Sequence, residues 1–107
     1  MKSEGDYQTH LRKKIEQMLP GCIVTKNDPN IIQGIPDLSI FYKKKWATLE
    51  VKRSKDAPVR PNQPHYVKVM NEMSFSRFIY PENEKEVLDE LQQALCPRRS
   101  TRSVRSK

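Results

Sequence analysis

Two alternating apolar runs, Asp37–Tyr42 and Trp46–Arg53, lie either side of Lys43-Lys44-Lys45, and this spacing is the strongest constraint on the fold. Short strands need partners, and two so close in sequence pair most readily as an antiparallel hairpin. With Lys43-Lys44 as a two-residue loop, Tyr42 faces Lys45, Phe41 faces Trp46, Ser39 faces Thr48 and Asp37 faces Glu50. Side chains alternate along a strand, so the last three of these pairs share one side of the sheet with Lys52. Leu38 with Leu49 and Ile40 with Ala47 form an apolar set on the other. Directly opposed residues have Cβ atoms about 5 Å apart, which brings Asp37 and Glu50 close enough to share a divalent cation. Without a cation, their like charges are destabilising. Lys-Lys is an unusual loop here, because two-residue turns favour Gly or Asn. A slip of one residue would set the two acids on opposite faces, and a bulge could restore them.

The rest of the chain supplies helices to cover such a sheet. Ser3 and Asp6 resemble a capping box, and Tyr7, Leu11, Ile15, Met18 and Leu19 recur at helical spacing as far as Pro20-Gly21, which predicts a helix over 3–19. Cys22–Thr25 reads as a short strand and Asn27–Asn30 as a turn cluster. After a polar loop over 54–60, Pro61–Pro64 open a second helix with Tyr66, Val67, Met70 and Met73 on one stripe, Tyr66 being expected to pack in the core. Phe75–Tyr80 reads as a fourth strand. Asn83 and Glu86 can cap a last helix bearing Val87, Leu88, Leu91 and Leu95, which Pro97 ends. The order αβββαβα predicts an α/β domain, a small mixed sheet flanked by helices.

A chain of 107 residues fits one domain. Its net charge of +7 is unevenly placed: Arg98, Arg99, Arg102, Arg105 and Lys107 fall in the last stretch, and residues 1–96 carry 15 basic against 13 acidic residues. The expected division is a folded domain over 1–96 and a basic, disordered tail over 97–107. Such a tail can hold a polyanion by counterion release, or serve only solubility. No run approaches the ~20 apolar residues that span a bilayer, so no membrane partner is expected. The first residues hold no signal-peptide core, so an intracellular protein is expected. Cys22 and Cys96 make no disulfide framework, and with His10 and His65 they make no zinc-ligand spacing.

Glu-x-Lys on a strand, taken alone, is the pattern of an exposed ion pair, and Pro-Asp that of a turn. Together they are more specific. Gly34-Ile35-Pro36-Asp37, a gap of twelve residues, and then Glu50-Val51-Lys52 resemble the PD-(D/E)xK nuclease superfamily. Glu4 before the first helix, Gly-x-Pro-Asp, Leu-Glu-x-Lys, and Gln63 with Tyr66 opening the next helix narrow the resemblance to the virus-type replication-repair nuclease (VRR-NUC) family. It covers about residues 4–95.

The resemblance implies a restriction-endonuclease-like core in which Asp37, Glu50 and the main-chain carbonyl of Val51 bind Mg²⁺ or Mn²⁺, hard ions suited to oxygen ligands. Lys52 would lie beside the attacking water and the phosphate. Glu4 is the candidate acid from the first helix. At ~100° per residue it falls about 20° from Leu11, on the sheet-facing side, whereas Glu16 falls about 140° away and is rejected. The bland reading of Glu4 is a helix-dipole partner. Gln63 can hydrogen-bond a metal-bound water or a phosphate oxygen, or merely start its helix. Ser39 and Thr48 are expected to fill space, and His65 to be exposed. Arg53, Lys55 and Arg60 can guide DNA across the site, with Arg98, Arg99 and Arg102 of the tail as further contacts.

The activity implied is metal-dependent hydrolysis of DNA phosphodiester bonds. Small stand-alone phage members of the family look like Holliday-junction resolvases that act as homodimers in DNA repair and recombination, in the cytoplasm of the bacterial host. A folded part this small has little surface for reading base sequence, which favours selection by DNA structure. Two alternatives stay open: a nuclease or nuclease subunit with broader flap or duplex specificity, and a catalytically inactive nucleic-acid-binding module.

Overall fold

In the computed structural model, which describes residues 3–97, the chain runs α1 (Glu4–Met18), β1 (Ile23–Lys26), β2 (Leu38–Tyr42), β3 (Lys45–Val51), α2 (Asn62–Met73), β4 (Ser76–Ile79) and α3 (Glu84–Leu95). A single 3₁₀ turn, Pro81–Asn83, precedes α3. The element order is the αβββαβα order expected, with most ends shifted by one or two residues. Arg98, Arg99 and Arg102 lie outside the described residues, as does the rest of the basic segment after Pro97.

The hairpin has the register that side-chain parity predicts: Tyr42 opposes Lys45, Phe41 opposes Trp46 and Ser39 opposes Thr48. Its loop is made without Gly or Asn because Lys43 takes a φ of +56°. A positive φ at the first loop residue but not the second is the sign pattern of a type II′ turn, whose twist matches the strands it joins. β1 pairs antiparallel with β2 on the outer side, and β4 pairs parallel with β3, giving a mixed four-stranded sheet in chain order. Two parallel neighbours need a crossover connection, and α2 supplies it between β3 and β4.

Alternation along the strands sorts the residues into two layers. On one face Val24, Leu38, Ile40, Ala47, Leu49, Val51 and Ile79 pack against Tyr7, Leu11, Ile15 and Leu19 of the α1 segment and Val87, Leu88, Leu91 and Leu95 of α3. Burying side chains of this kind contributes about 1.5–3 kcal/mol each, so this face stabilises the fold. Ser3 and Asp6 form the expected capping box at the start of α1. Its end is set by Pro20 and by Gly21, whose φ of +91° suits glycine. α1 and α3 are clasped by Glu84, which accepts hydrogen bonds from the Tyr7 hydroxyl (2.9 Å) and from Lys14. Burial alone would raise the Glu84 carboxyl, but the bonds from Lys14 and Tyr7 outweigh it and hold the group below the ordinary value.

The other face is thinly covered. α2 lies over β3 and β4, touching Thr48 through Met70, yet none of its residues is buried. Tyr66 is half-buried rather than a core residue, and Met73 is exposed. Asn83, read from sequence as a cap for α3, closes the preceding turn instead: its Oδ1 accepts the Tyr80 N–H (2.9 Å) and its Nδ2 donates to the Phe78 carbonyl (3.1 Å). A 3₁₀ turn comes before the helix, so its side chain is used one step earlier than expected. Among the described residues, no helix is long and apolar enough to cross a membrane.

Candidate active site

The site forms where β2 begins and β3 ends. Continued past Leu38↔Leu49, the hairpin register sets Asp37 against Glu50 and Pro36 against Val51. The N–H groups of Thr48 and Lys52 point to β4, where they bond the Phe75 and Ile79 carbonyls (both 2.9 Å), so those of Leu49 and Val51 point to β2. At Val51 the ladder meets proline, which has no N–H to give. The Pro36 carbonyl, the ladder acceptor that the Val51 N–H would otherwise meet, takes Asn27 Nδ2, and the Val51 N–H donates to Asp37 Oδ2 (2.8 Å). The Val51 carbonyl, on the same edge, faces a residue that cannot donate to it. Pro36 thus ends the ladder and brings no donor for the Val51 carbonyl.

The loop before Asp37 is fixed from two sides. The Asn27 N–H donates to the Asp37 carbonyl (2.8 Å), and Asn27 Nδ2 donates to the Pro36 carbonyl and to Ser39 Oγ (2.8 Å each). Gly34 has a φ of +90°, and a Cβ there would come within 2.4 Å of Asn62 Cβ and 2.8 Å of its carbonyl carbon. Only glycine lets this loop rest against the start of α2, the helix that carries Gln63. Neither Asn27 nor the Gly34–Asn62 approach was readable in the sequence. An asparagine in a turn cluster has many uses, and a glycine three residues before a carboxylate does not reveal what it touches.

Gln63 ties the site together. Its Nε2 donates to Glu50 Oε2 (2.9 Å), and its Oε1 accepts from Lys52 Nζ (2.7 Å) and from the Arg60 N–H (2.9 Å). Lys52 Nζ also donates to the Pro58 carbonyl (2.9 Å) and stands 3.7 Å from Glu50 Oε2. The ammonium is therefore held in place with one donor to spare. Glu50 is 1% exposed, and its second oxygen, Oε1, is buried without a hydrogen-bond partner among the described residues. Burial above all, then the charge and hydrogen-bond contact of Asp37, push the Glu50 carboxyl up to about 8, against the pull of Lys52. Glu4, half-buried at the start of α1, is raised by burial and by Asp37, and lowered by Lys52 and Arg53.

This donor set fits a hard divalent cation. Among the described residues no group of three or more His, Cys, Asp and Glu side chains is arranged as a ready metal cage. What is present is a pair of carboxylates, the Val51 carbonyl, for which Pro36 has no N–H, and one buried carboxylate oxygen that lacks a partner. Magnesium and manganese keep several waters and need only one or two carboxylates from the protein, so two acids and a carbonyl suffice. A buried, unpartnered carboxylate oxygen is costly unless a proton or a cation satisfies it.

Of the other candidates, Arg60 lines a cavity together with Asp37 and Gln63. Arg53 and Lys55 are exposed just beyond β3. Thr48 is buried and donates to Ser76 Oγ (2.8 Å), and Ser39 accepts from Asn27, so both serve packing as expected. His65 is exposed, and Glu16 points outward to Arg12. Comparison with family models, with curated proteins and with solved structures finds no match, so the reading of this site rests on its own geometry.

Proposed function

We propose that this protein is a metal-dependent DNA endonuclease that selects branched DNA, the four-way junction first, and acts as a homodimer. The observation that carries the reading is the convergence of Asp37, Glu50, Lys52 and Gln63 on one sheet face, with Glu50 Oε1 buried and unpartnered. Asp37, Glu50 and the Val51 carbonyl would hold Mg²⁺ or Mn²⁺, with Glu4 reaching in from α1. When bound, such an ion polarises the scissile phosphate and lowers the pKa of a coordinated water. Lys52, held by Gln63 and the Pro58 carbonyl, keeps one donor that would meet the phosphate and stabilise the charge that develops there. Gln63 fixes Glu50 and Lys52 relative to each other, so the two groups that meet ligand and phosphate move as one unit. Arg53, Lys55 and Arg60 supply phosphate contacts that position DNA without reading its sequence. Dimerisation would set two such sites on two strands of a symmetric substrate.

The test is a panel of labelled four-way junction, flap, duplex and single-stranded DNA with Mn²⁺ or Mg²⁺. Wild type is run beside Asp37→Asn, which keeps an oxygen for the Val51 N–H. Paired symmetric nicks at the junction, absent in Asp37→Asn, support the reading. Equal cutting of linear duplex would replace it with a broader nuclease, and binding without cleavage with an inactive module. Cleavage that survives Asp37→Asn would show that the metal site is misassigned. Sedimentation at micromolar concentration tests the dimer.

A further inference from the structure

A cavity of about 360 Å³ opens beside the reacting groups, between the loop from β1 to β2 and the start of α2. Asp37 and Gln63, both half-buried, and the exposed Arg60 are among the residues that line it. Its size is at the lower end of the range for small-molecule sites. Besides Gln63, three side-chain amides line it, from Asn30, Gln33 and Asn62. Other amides near the site are committed to internal bonds: Asn27 to Pro36 and Ser39, and Gln63 to Glu50, Lys52 and Arg60. Among the described residues, the side chains of Asn30, Gln33 and Asn62 make no such bond, and all three are exposed. Each offers both donor and acceptor groups without charge. Pro29 and Ile35 add apolar surface between them. The walls are held together where Gly34 meets Asn62, so the cavity is built into the packing of the loop on α2.

We infer that this cavity seats one unpaired nucleobase, the neighbour of the phosphate held at Asp37 and Glu50. The inference rests on the nuclease reading above and deepens it. A base is a flat apolar ring with a neutral donor–acceptor edge, and asparagine and glutamine amides match such edges. Apolar surface beside the amides suits the ring faces, and the exposed Arg60 suits the adjoining phosphate. A base can enter only after leaving its stack, which is easiest where pairing is already disrupted. Preference for branch points over intact duplex would then follow from the cavity itself, without any reading of sequence.

The test uses a four-way junction carrying 2-aminopurine at one branch-point position at a time. It is mixed with the full-length protein in Ca²⁺, with intact DNA checked on a gel and binding followed separately by anisotropy. A base that leaves the stack brightens, so one position adjoining the nick mapped with Mn²⁺ should rise several-fold in fluorescence. The Asn30→Ala/Gln33→Ala double variant should lose that rise. An abasic nucleotide at the same position should slow nicking of the adjoining phosphate by roughly tenfold, the discrimination expected of one good base contact. Binding with no position brightening, or equal brightening with the double variant, would overturn the inference and leave the nuclease reading standing. Failure to bind and to cleave any DNA would overturn both.

Discussion

Replacing Glu50 by glutamine should make the metal-free protein more stable while removing the proposed nuclease activity. Glu50 is 1% exposed, Oε1 has no partner and Asp37 lies against it, which pushes its carboxyl from 4.5 up to about 8. Between those two values the folded chain keeps a proton that the unfolded chain has lost. Stability therefore falls as pH rises through this window, by about 1.4 kcal/mol per pH unit for one proton. The loss accumulated by pH 7 is about 3 kcal/mol, it levels off near pH 8, and it vanishes below about pH 4.5. Glutamine has no charge to desolvate. Its oxygen can accept from Gln63 Nε2 as Glu50 Oε2 does now, and its NH₂ can donate to Asp37. Allowing for imperfect fit, Glu50→Gln should gain about 1–3 kcal/mol at pH 7. Urea unfolding in EDTA, followed by the fluorescence of the single tryptophan, Trp46, measures this at pH 5, 7 and 8.5. The gain should grow with pH, and Mn²⁺ at pH 8 should stabilise wild type but not the variant. A variant that is no more stable than wild type at pH 8.5 in EDTA, or whose gain ignores pH, would refute the reasoning.

Three further changes probe the scaffold. Pro36→Ala gives residue 36 an N–H that can bond the Val51 carbonyl, worth about 1 kcal/mol. Calorimetric titration should show Mn²⁺ affinity lowered roughly fivefold, and unchanged affinity with amide 36 protected from hydrogen exchange would count against that carbonyl as a ligand. Gly34→Ala forces a side chain into a φ of +90° and against the Asn62 backbone, and should cost about 2–4 kcal/mol by urea unfolding. A loss under about 1 kcal/mol would mean that the loop shifts freely on α2. Tyr7→Phe removes the hydroxyl bonded to Glu84 and should cost about 1.5–3 kcal/mol in the same assay, with no effect expected only if water replaces the bond.

The core layer was legible because it is periodic. Leu38, Ile40, Ala47 and Leu49 alternate along their strands, and Leu11, Ile15, Leu88 and Leu91 recur at helical spacing, so both the hairpin register and the helix faces follow from local rules. The turn residues misled only mildly: Lys43 accepts a positive φ because pairing on both sides of it fixes the loop. The second layer was less legible because its contacts are not periodic. Tyr66, Val67 and Met70 suggest a buried stripe on α2, yet the helix lies on a polar strip of sheet and stays half-exposed. The fit of Gly34 on Asn62 and the hub made by Gln63 are long-range contacts between single residues, and no sequence window contains both partners.

α2 lacks a buried face, so something other than a core must hold it, and the structure points to the site itself. Its first turn is tied to β3 through Gln63 with Glu50 and Lys52, its start is pressed against Gly34, and its middle meets Thr48 through Met70. The residues that would do chemistry are thus also the fastenings of the helix beside them. Ligand binding at Asp37 and Glu50 would tighten those fastenings by relieving the repulsion between Asp37 and Glu50, the carboxyl that Gln63 holds. Glu50 can carry that repulsion because its neighbours along β3, Leu49 and Val51, are fully buried in the opposite layer. Instability at the site is therefore confined to the face that α2 covers, and site occupancy should alter protection of α2 amides before it alters the core.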